Sequence, residues 1–320
     1  MVAFVARRLA IAVPVLLGIL LIAFVFVHLL PGSPIQMMIN PNQLSGPDST
    51  KYLASLKAEL GLDKPLPVQW IDWMGQVFRG NLGYSYQENV PVSSLIGQRV
   101  GATVTLSLTA LLLALVIAVP VGVVAAFKQR SWFDYMSVGL SMVAISIPVF
   151  FLGLMAIYFF SLNLGWFPPG GRNTLGIEDS LSDTVLHLTL PACVLASVLI
   201  GPYVRYVRQS MLEVLHMDYI RTAIAKGVPR TRIVLKHALR NALIPLTTVL
   251  AIQIPALLAG TLVIETVFAW PGLGQMVYQA INDRDYPVIL AVVMLSAALV
   301  VVFNLIADIV AALLDPRIRI

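Results

Sequence analysis

Apolar residues come in long blocks along this chain, and polar residues gather between them. Leu9–Leu30 runs apolar for about the 20 residues that one bilayer crossing needs. Further blocks follow at Thr103–Phe127, Val138–Leu162, Val185–Val204, Leu243–Val267 and Val288–Leu313. The pattern therefore predicts an all-α integral membrane protein with six transmembrane helices. Pro14, Pro120, Pro148, Pro191, Pro202, Pro245 and Pro255 fall in these blocks and mark bent helices, because neighbouring groups can re-satisfy the carbonyls that a proline frees. The first block is expected to be a retained span. A signal peptide has an apolar core of about 7–15 residues and then a small-residue cleavage site, whereas HLLPGSP follows here.

The polar segments between the blocks differ in kind. Residues 31–102 have the texture of a small folded cap. Asp48 is placed to cap a helix STKYLASLKAEL closed by Gly61, a second helix WIDWMGQVF follows Pro65 and Pro67, and RGNLGYSY is turn-rich. Its cations Lys51, Lys57, Lys64, Arg79 and Arg99 are matched by Asp48, Glu59, Asp63, Asp72 and Glu88. The other long segment, Tyr203 to Pro245, is basic. Arg205, Arg208, Arg221, Lys226, Arg230, Arg232, Lys236 and Arg240 stand against Glu213 and Asp218. Lys128 and Arg130 follow the second span, and Arg317 and Arg319 end the chain. The remaining loops hold Arg172 with Glu178, Asp179 and Asp183, and Arg284 with Asp283 and Asp285. Cations mark the cytoplasmic side, so both termini are expected inside and the cap outside. The chain then divides into residues 1–30 (N-terminus and first span), the cap 31–102, and a core 103–320 with a cytoplasmic loop at 205–242. Arg232, Lys236 and Arg240, four apart, form a basic stripe that anionic headgroups attract at about 1 kcal/mol per charge.

Within the basic segment lies a short capped helix. Asp218 stands at the expected N-cap, Gly227 at the C′ position, and Pro229 blocks continuation. Ile220, Ala223, Ile224 and Gly227 share one face at i, i+3, i+4 and i+7. Isolated helices need roughly 12–15 residues to be stable, so this one is expected to dock on a partner protein through its small-residue face.

Composition narrows the chemistry. Hydrophobic residues make up 58% and charged ones 12%, with a mean hydropathy of +0.87, against roughly 25% charged in a soluble domain. The net charge of +5 belongs to the cytoplasmic loops rather than to a nucleic-acid surface. Cys193 is the single cysteine; it excludes an internal disulfide and a paired-cysteine metal site, and is expected to be a buried, inert thiol. No GxxxxGK[ST], HExxH or GxSxG motif occurs. His28, His187, His216 and His237 are too far apart for a local metal motif. No catalytic residue and no metal site are predicted. His28, His187, Glu265 and Asp308 are ionisable groups in apolar blocks, costly and usually functional there. They lie near block ends, whereas a proton- or sodium-coupled carrier places such groups near the midplane. Mildly polar side chains (Thr103, Thr105, Ser107 and Thr109; Ser141 and Ser146; Thr247, Thr248 and Gln253) suit helix packing. Ser146, Thr248 and Gln253 are also candidates for lining a passage.

Nine ordered blocks carry a family resemblance. They are ARRL with FVFVHLLPGSP (Phe24–Pro34), ELGLDKPLPVQ (Glu59–Gln69), GNLGYS (Gly80–Ser85), SIPVFFLG (Ser146–Gly153), DYIRTAIAKG (Asp218–Gly227), HALRNALIP (His237–Pro245), ETVFAWPGLG (Glu265–Gly274), RDYPV (Arg284–Val288) and DPRIR (Asp315–Arg319). Together they resemble the membrane-spanning permease subunits of ATP-binding-cassette importers, in the peptide/nickel group and nearest the dipeptide and oligopeptide permeases. The superfamily's cytoplasmic loop reads EAA, three residues, Gly, then an ILP-like element. Gly227 matches the glycine and Ala223 the second alanine, while Arg221 and Thr222 replace the glutamate and the first alanine. His237 to Arg240 stand where the ILP-like element falls. The superfamily's acidic contact therefore does not carry over to Arg221.

The resemblance implies a type I importer permease fold in a prokaryotic inner membrane. It makes Asp218, Tyr219, Ile220, Arg221, Thr222, Ala223, Ile224, Ala225, Lys226 and Gly227 the coupling helix of an ATPase subunit. It also implies a second, usually different, permease chain, two ATPases that bind ATP and Mg, and an extracytoplasmic binding protein that delivers di- or oligopeptides. Trp270, Pro271 and Gly272 fall on the delivery side, where Trp270 is either an interfacial anchor or part of a gate. Nickel or glutathione transport is the alternative within the group. Outside it stand a secondary carrier or channel, which would need no ATPase, and a structural scaffold.

Overall fold

The computed structural model describes residues 2–29, 54–55, 57–58, 61–177, 180–243, 245–247, 249–250, 253, 257 and 261–314. Among them the structure is helical, apart from one isolated bridge between Tyr84 and Pro91. The main helices are α1 (Val2–Leu29), α2 (Leu66–Phe78), α3 (Val92–Phe127), α4 (Trp132–Ser146), α5 (Val149–Ala156), α6 (Leu181–Leu215), α7 (Asp218–Ala225), α8 (Leu262–Val267), α9 (Leu273–Asp283) and α10 (Tyr286–Leu314). α5 runs on into a π-helical segment, Ile157–Asn163, and a second π-helical segment, Ile233–Ala238, follows α7.

Among the described residues, α1, α3, α6 and α10 are long and apolar enough to cross a membrane. α4 and the Val149–Asn163 helix make a fifth candidate as a pair bent by 94°. The predicted continuous span Val138–Leu162 is thus two helices. Ile147 precedes a proline, which disfavours the α region, and it sits at φ −89°, ψ 125°. Pro148 then stands at the N-cap of α5. The predicted span Leu243–Val267 is described only in part. Most of its middle lies outside the described residues, and so do Asp48 and most of the helix expected after it.

Helices extend beyond their apolar blocks, α3 and α6 furthest. α3 starts at Val92 rather than Thr103, so the end of the predicted cap is already helix. α6 starts behind Ser180, whose side chain accepts from Asp183 N–H, and continues past Val204 to Leu215. Hydropathy marks the apolar stretch, whereas the helix continues through Arg205, Arg208 and Glu213 because straight-chain residues propagate it well.

The chain packs as two compact units, one of Met1–Gly101 with Gly272–Val301, the other of Ala102–Pro271 with Val302–Ile320. In the first, Phe24 packs among Trp70 (centroids 5.3 Å apart), Trp73 and His28. Val92, Leu95, Leu273, Met276 and Ile289 complete that core. α2 follows Pro65 and Pro67 as the sequence predicts. In the second unit, Leu106, Ala110, Ala114 and Ala118 from α3 and Tyr203, Val204, Val207 and Met211 from α6 are buried.

α4 and α6 of the second unit meet through small and charged residues. A Cβ placed on Gly201 would lie 2.9 Å from the Ser141 carbonyl oxygen, so only glycine permits this approach. Seven residues away on each helix, Asp134 pairs with Arg208: Nε to Oδ1 at 2.5 Å and Nη2 to Oδ2 at 2.8 Å. Asp134 also accepts from Arg130 N–H. The matched spacing means that the helices run antiparallel along a seam of Asp134, Ser137 and Ser141. Arg208 is a helix-pairing residue, which the sequence counted as one more inside cation.

Elsewhere both units leave apolar helix faces open, with Ile22, Phe26, Leu112 and Val116 exposed. Such faces mark contact with lipid or another subunit. Cys193 is exposed too, against the expectation of burial. It sits between buried Ala192 and Val194 on α6, and an apolar block does not reveal which of its faces turns outward.

Candidate functional site

The helix expected to dock is present as α7, and its two ends differ from one another. Its C-terminus forms a Schellman motif: Val228 N–H donates to Ala223 O at 3.1 Å and Gly227 N–H to Ile224 O at 2.9 Å. Gly227 takes φ +72° there, and a Cβ on it would meet nothing within 4 Å. At the N-terminus the residue in extended conformation is Met217, with no side-chain cap. Asp218 is the first helical residue rather than the N-cap. Its side chain is exposed, 4.0 Å from Arg221. An acid in the first turn still suits the positive end of the helix dipole, which is why cap and first-turn acids look alike in a sequence.

The predicted face Ile220–Ala223–Ile224–Gly227 is divided by the structure. Ile220 is 1% exposed and belongs to the core, with Ala223 packed against it. Ile224, at 59%, turns outward together with Tyr219 and Met217. Arg221, Thr222, Ala225, Lys226 and Gly227 are exposed as well. Ile220 thus anchors the helix to its own unit, and an apolar trio remains on the surface. Of the predicted face, Ile224 and Gly227 stay exposed while Ile220 and Ala223 pack inward.

Behind α7 the chain continues through Arg230–Arg232, the π-helical Ile233–Ala238 and Leu239–Ala242. Ile233, Ala238 and Ala242 are buried, while Arg232, Lys236 and Arg240, the cations of the predicted stripe, are exposed. Asn241 Nδ2 donates to Tyr219 Oη at 2.9 Å, tying this segment to α7.

The weaker site predictions fare differently. Ser146 Oγ donates to Met142 O in its own helix at 2.9 Å. Gln253 is half-buried, and Thr248 lies outside the described residues. Trp270 is fully buried and donates from Nε1 to Ala102 O at 2.9 Å. That rules out an interfacial anchor, because a ring at the membrane surface would keep its polar edge in water. Pro271 is half-buried and Gly272 buried at the N-cap of α9.

Ionisable groups of the apolar blocks have structural partners. Glu265 is fully buried and accepts from Thr103 Oγ1 at 2.7 Å and Thr261 Oγ1 at 2.9 Å. His187 is buried, its Nδ1 3.0 Å from Gly170 O and its Nε2 3.3 Å from Thr174 Oγ1. Thr174 in turn donates to Asp183. His28 faces Phe24 O through Nδ1 and Gln69 Oε1 through Nε2. The side chain of Asp308 lies outside the described residues.

In the sequence Asp285 is one charge of a short loop. It is 3% exposed and accepts from Ser85 Oγ and, at 3.4 Å, from Gln87 N–H. Pro287 lies 3.6 Å from where a Cβ on Gly83 would be. Two sequence blocks, GNLGYS and RDYPV, are therefore halves of one contact. Two hundred residues of separation hide that from any local pattern.

Comparison with known proteins is extensive. The family described as binding-protein-dependent transport system inner membrane component matches residues 118–320, and its N-terminal companion matches residues 1–109. The chain is 43% identical over 320 residues to the oligopeptide transport system permease protein AppB of Bacillus subtilis (strain 168), covering all of both chains. It is 40% identical over 340 residues to the dipeptide transport system permease protein DppB of Escherichia coli (strain K12), covering 100% of this chain and 99% of that one. Among solved structures, the MetNI methionine ABC transporter in an inward-facing conformation matches with a TM-score of 0.55 at 20% identity. That match covers 70% of this chain and 97% of the other, and it concerns the fold.

Proposed function

The chain belongs to the inner-membrane components of binding-protein-dependent transport systems, and from that premise we propose that it forms half of the translocation path of an ATP-driven importer of di- and oligopeptides. What supports the substrate class is similarity along the whole length to an oligopeptide and a dipeptide permease protein. A permease of this kind is a non-catalytic membrane subunit. Its partners are a second permease chain, two ATPases that bind ATP and Mg, and an extracytoplasmic binding protein. Six spans with both termini cytoplasmic satisfy the distribution of cations between the loops.

Residues 218–227 act as the coupling helix. Ile220 fixes the helix to the permease, and Met217, Tyr219 and Ile224 enter a cleft of the ATPase. Closure of the two ATPases on ATP draws the paired coupling helices together and turns the path from inward- to outward-facing. Trp270, Pro271 and Gly272 stand at the extracytoplasmic end. Trp270 holds its turn against the start of the second span and serves a gate by fixing that turn.

Reconstitution tests this reading. The permease pair and ATPases in liposomes, supplied with the binding protein, should accumulate a labelled dipeptide with ATP and not with a non-hydrolysable analogue. Accumulation without any ATPase would make the protein a stand-alone carrier.

A further inference from the structure

The unit of Met1–Gly101 with Gly272–Val301 contains a cavity of about 460 Å³ that the coupling reading does not use. Its size is that of a small-molecule site. Rings of Phe24, Trp73, Tyr86 and Tyr286 line part of it. On another part of the lining Lys64 Nζ meets Asp72 Oδ2 at 2.7 Å, both side chains about half exposed. Behind the lining residue Ser85 lies buried Asp285, whose Oδ2 is held by Ser85 while Oδ1 has no hydrogen-bond partner among the described residues. Burial and the Asp285 charge push the Tyr86 phenol up to about 12, so it stays protonated and keeps its donor.

These groups select by charge. In the lining one ammonium is paired with one carboxylate, so a free anion would leave Asp72 without a partner and a free cation would leave Lys64 without one. A purely apolar ligand would bury the ion pair without replacing its water. A zwitterion exchanges partner for partner: its ammonium takes Asp72 and its carboxylate takes Lys64, whose flexible stem can swing to follow. The rings add apolar area and a face for the ammonium. Carboxamides of Gln76 and Asn81, also in the lining, supply donors and acceptors for a peptide group between the two ends.

We propose that this cavity binds a short peptide with both termini free, its ammonium on Asp72, its carboxylate on Lys64 and an apolar side chain against Phe24 and Trp73. The proposal rests on the peptide-import reading and adds a peptide site on the permease itself. The test is equilibrium dialysis of labelled alanyl-phenylalanine against the assembled permease–ATPase complex in nanodiscs, without binding protein or nucleotide. Wild type should bind saturably. Lys64→Gln and Asp72→Asn, both at half-exposed positions, should each weaken binding at least tenfold. N-acetyl-alanyl-phenylalaninamide should not compete. Binding that is undiminished in both variants would put the peptide elsewhere and overturn the proposal. So would the absence of saturable binding in a complex that imports peptide once its binding protein is added. Equal competition by free phenylalanine would make this an amino-acid site and overturn the peptide assignment. Binding at the cavity by a complex that imports no peptide would overturn the import reading alone.

Discussion

At Gly227 the backbone takes φ +72° with open space around the α-carbon, so a side chain there is limited by conformation and by whatever docks, not by its own fold. Alanine in that left-handed position costs roughly 1–2 kcal/mol and should reduce ATP-driven uptake in liposomes partially. Gly227→Trp adds bulk on an exposed surface and should abolish uptake while leaving insertion intact. Asp218→Ala, which removes an exposed first-turn acid and no cap, should have the smallest effect of the three. Uptake that falls most in Asp218→Ala would contradict this assignment of the helix ends. At Trp270 the ring is core and the indole N–H has a carbonyl partner. Trp270→Phe should destabilise the purified protein by about 0.5–1.5 kcal/mol and Trp270→Ala by about 3–5 kcal/mol, read from thermal unfolding in detergent. Equal effects would mean that the hydrogen bond to Ala102 contributes everything. Gly227 was legible because glycine followed by Pro229 has one economical local meaning. Trp270 was not, since an amphipathic ring suits a membrane interface and a core with one polar partner equally well.

Helices rather than residues carry the packing of the second unit. The seam between α4 and α6 joins Gly201 with Ser141 and, seven residues along, Arg208 with Asp134. Asp134 is buried, so Arg208→Ala should cost up to about 3 kcal/mol by stranding a carboxylate. Asp134→Ala with Arg208→Ala together should cost less than the two single changes summed, because one loss is counted in both. Additive effects in thermal unfolding would show that the two groups do not act as a pair. Gly201→Leu should separate the helices and be worse than either. Element existence and order followed from hydropathy for α1, α3, α6 and α10. Element ends did not, because helix continues into charged residues that hydropathy excludes, and the Ile147–Pro148 break is a backbone effect inside an apolar block. Pairings such as Ser85 with Asp285 were out of reach, being set by tertiary packing between distant blocks.

As a whole molecule the chain is a non-catalytic inner-membrane component whose work depends on partners. Its two compact units divide the roles proposed above: α7 and its apolar trio lie in one, the aromatic-walled cavity in the other. The proposed topology and the proposed partner side of the membrane both rest on the charge distribution, since cations concentrate around α7. Which face of α7 is left free to dock was not legible, because periodicity groups Ile220 with Ile224 while packing separates them. Co-purification tests the proposed docking of α7 on an ATPase directly. With the ATPases co-expressed and the complex extracted in mild detergent, wild type should retain the ATPase. Ile224→Asp and Gly227→Trp should lose it while still inserting into the membrane at wild-type levels. Retention of the ATPase by both variants would contradict the assignment of residues 218–227 as the coupling helix.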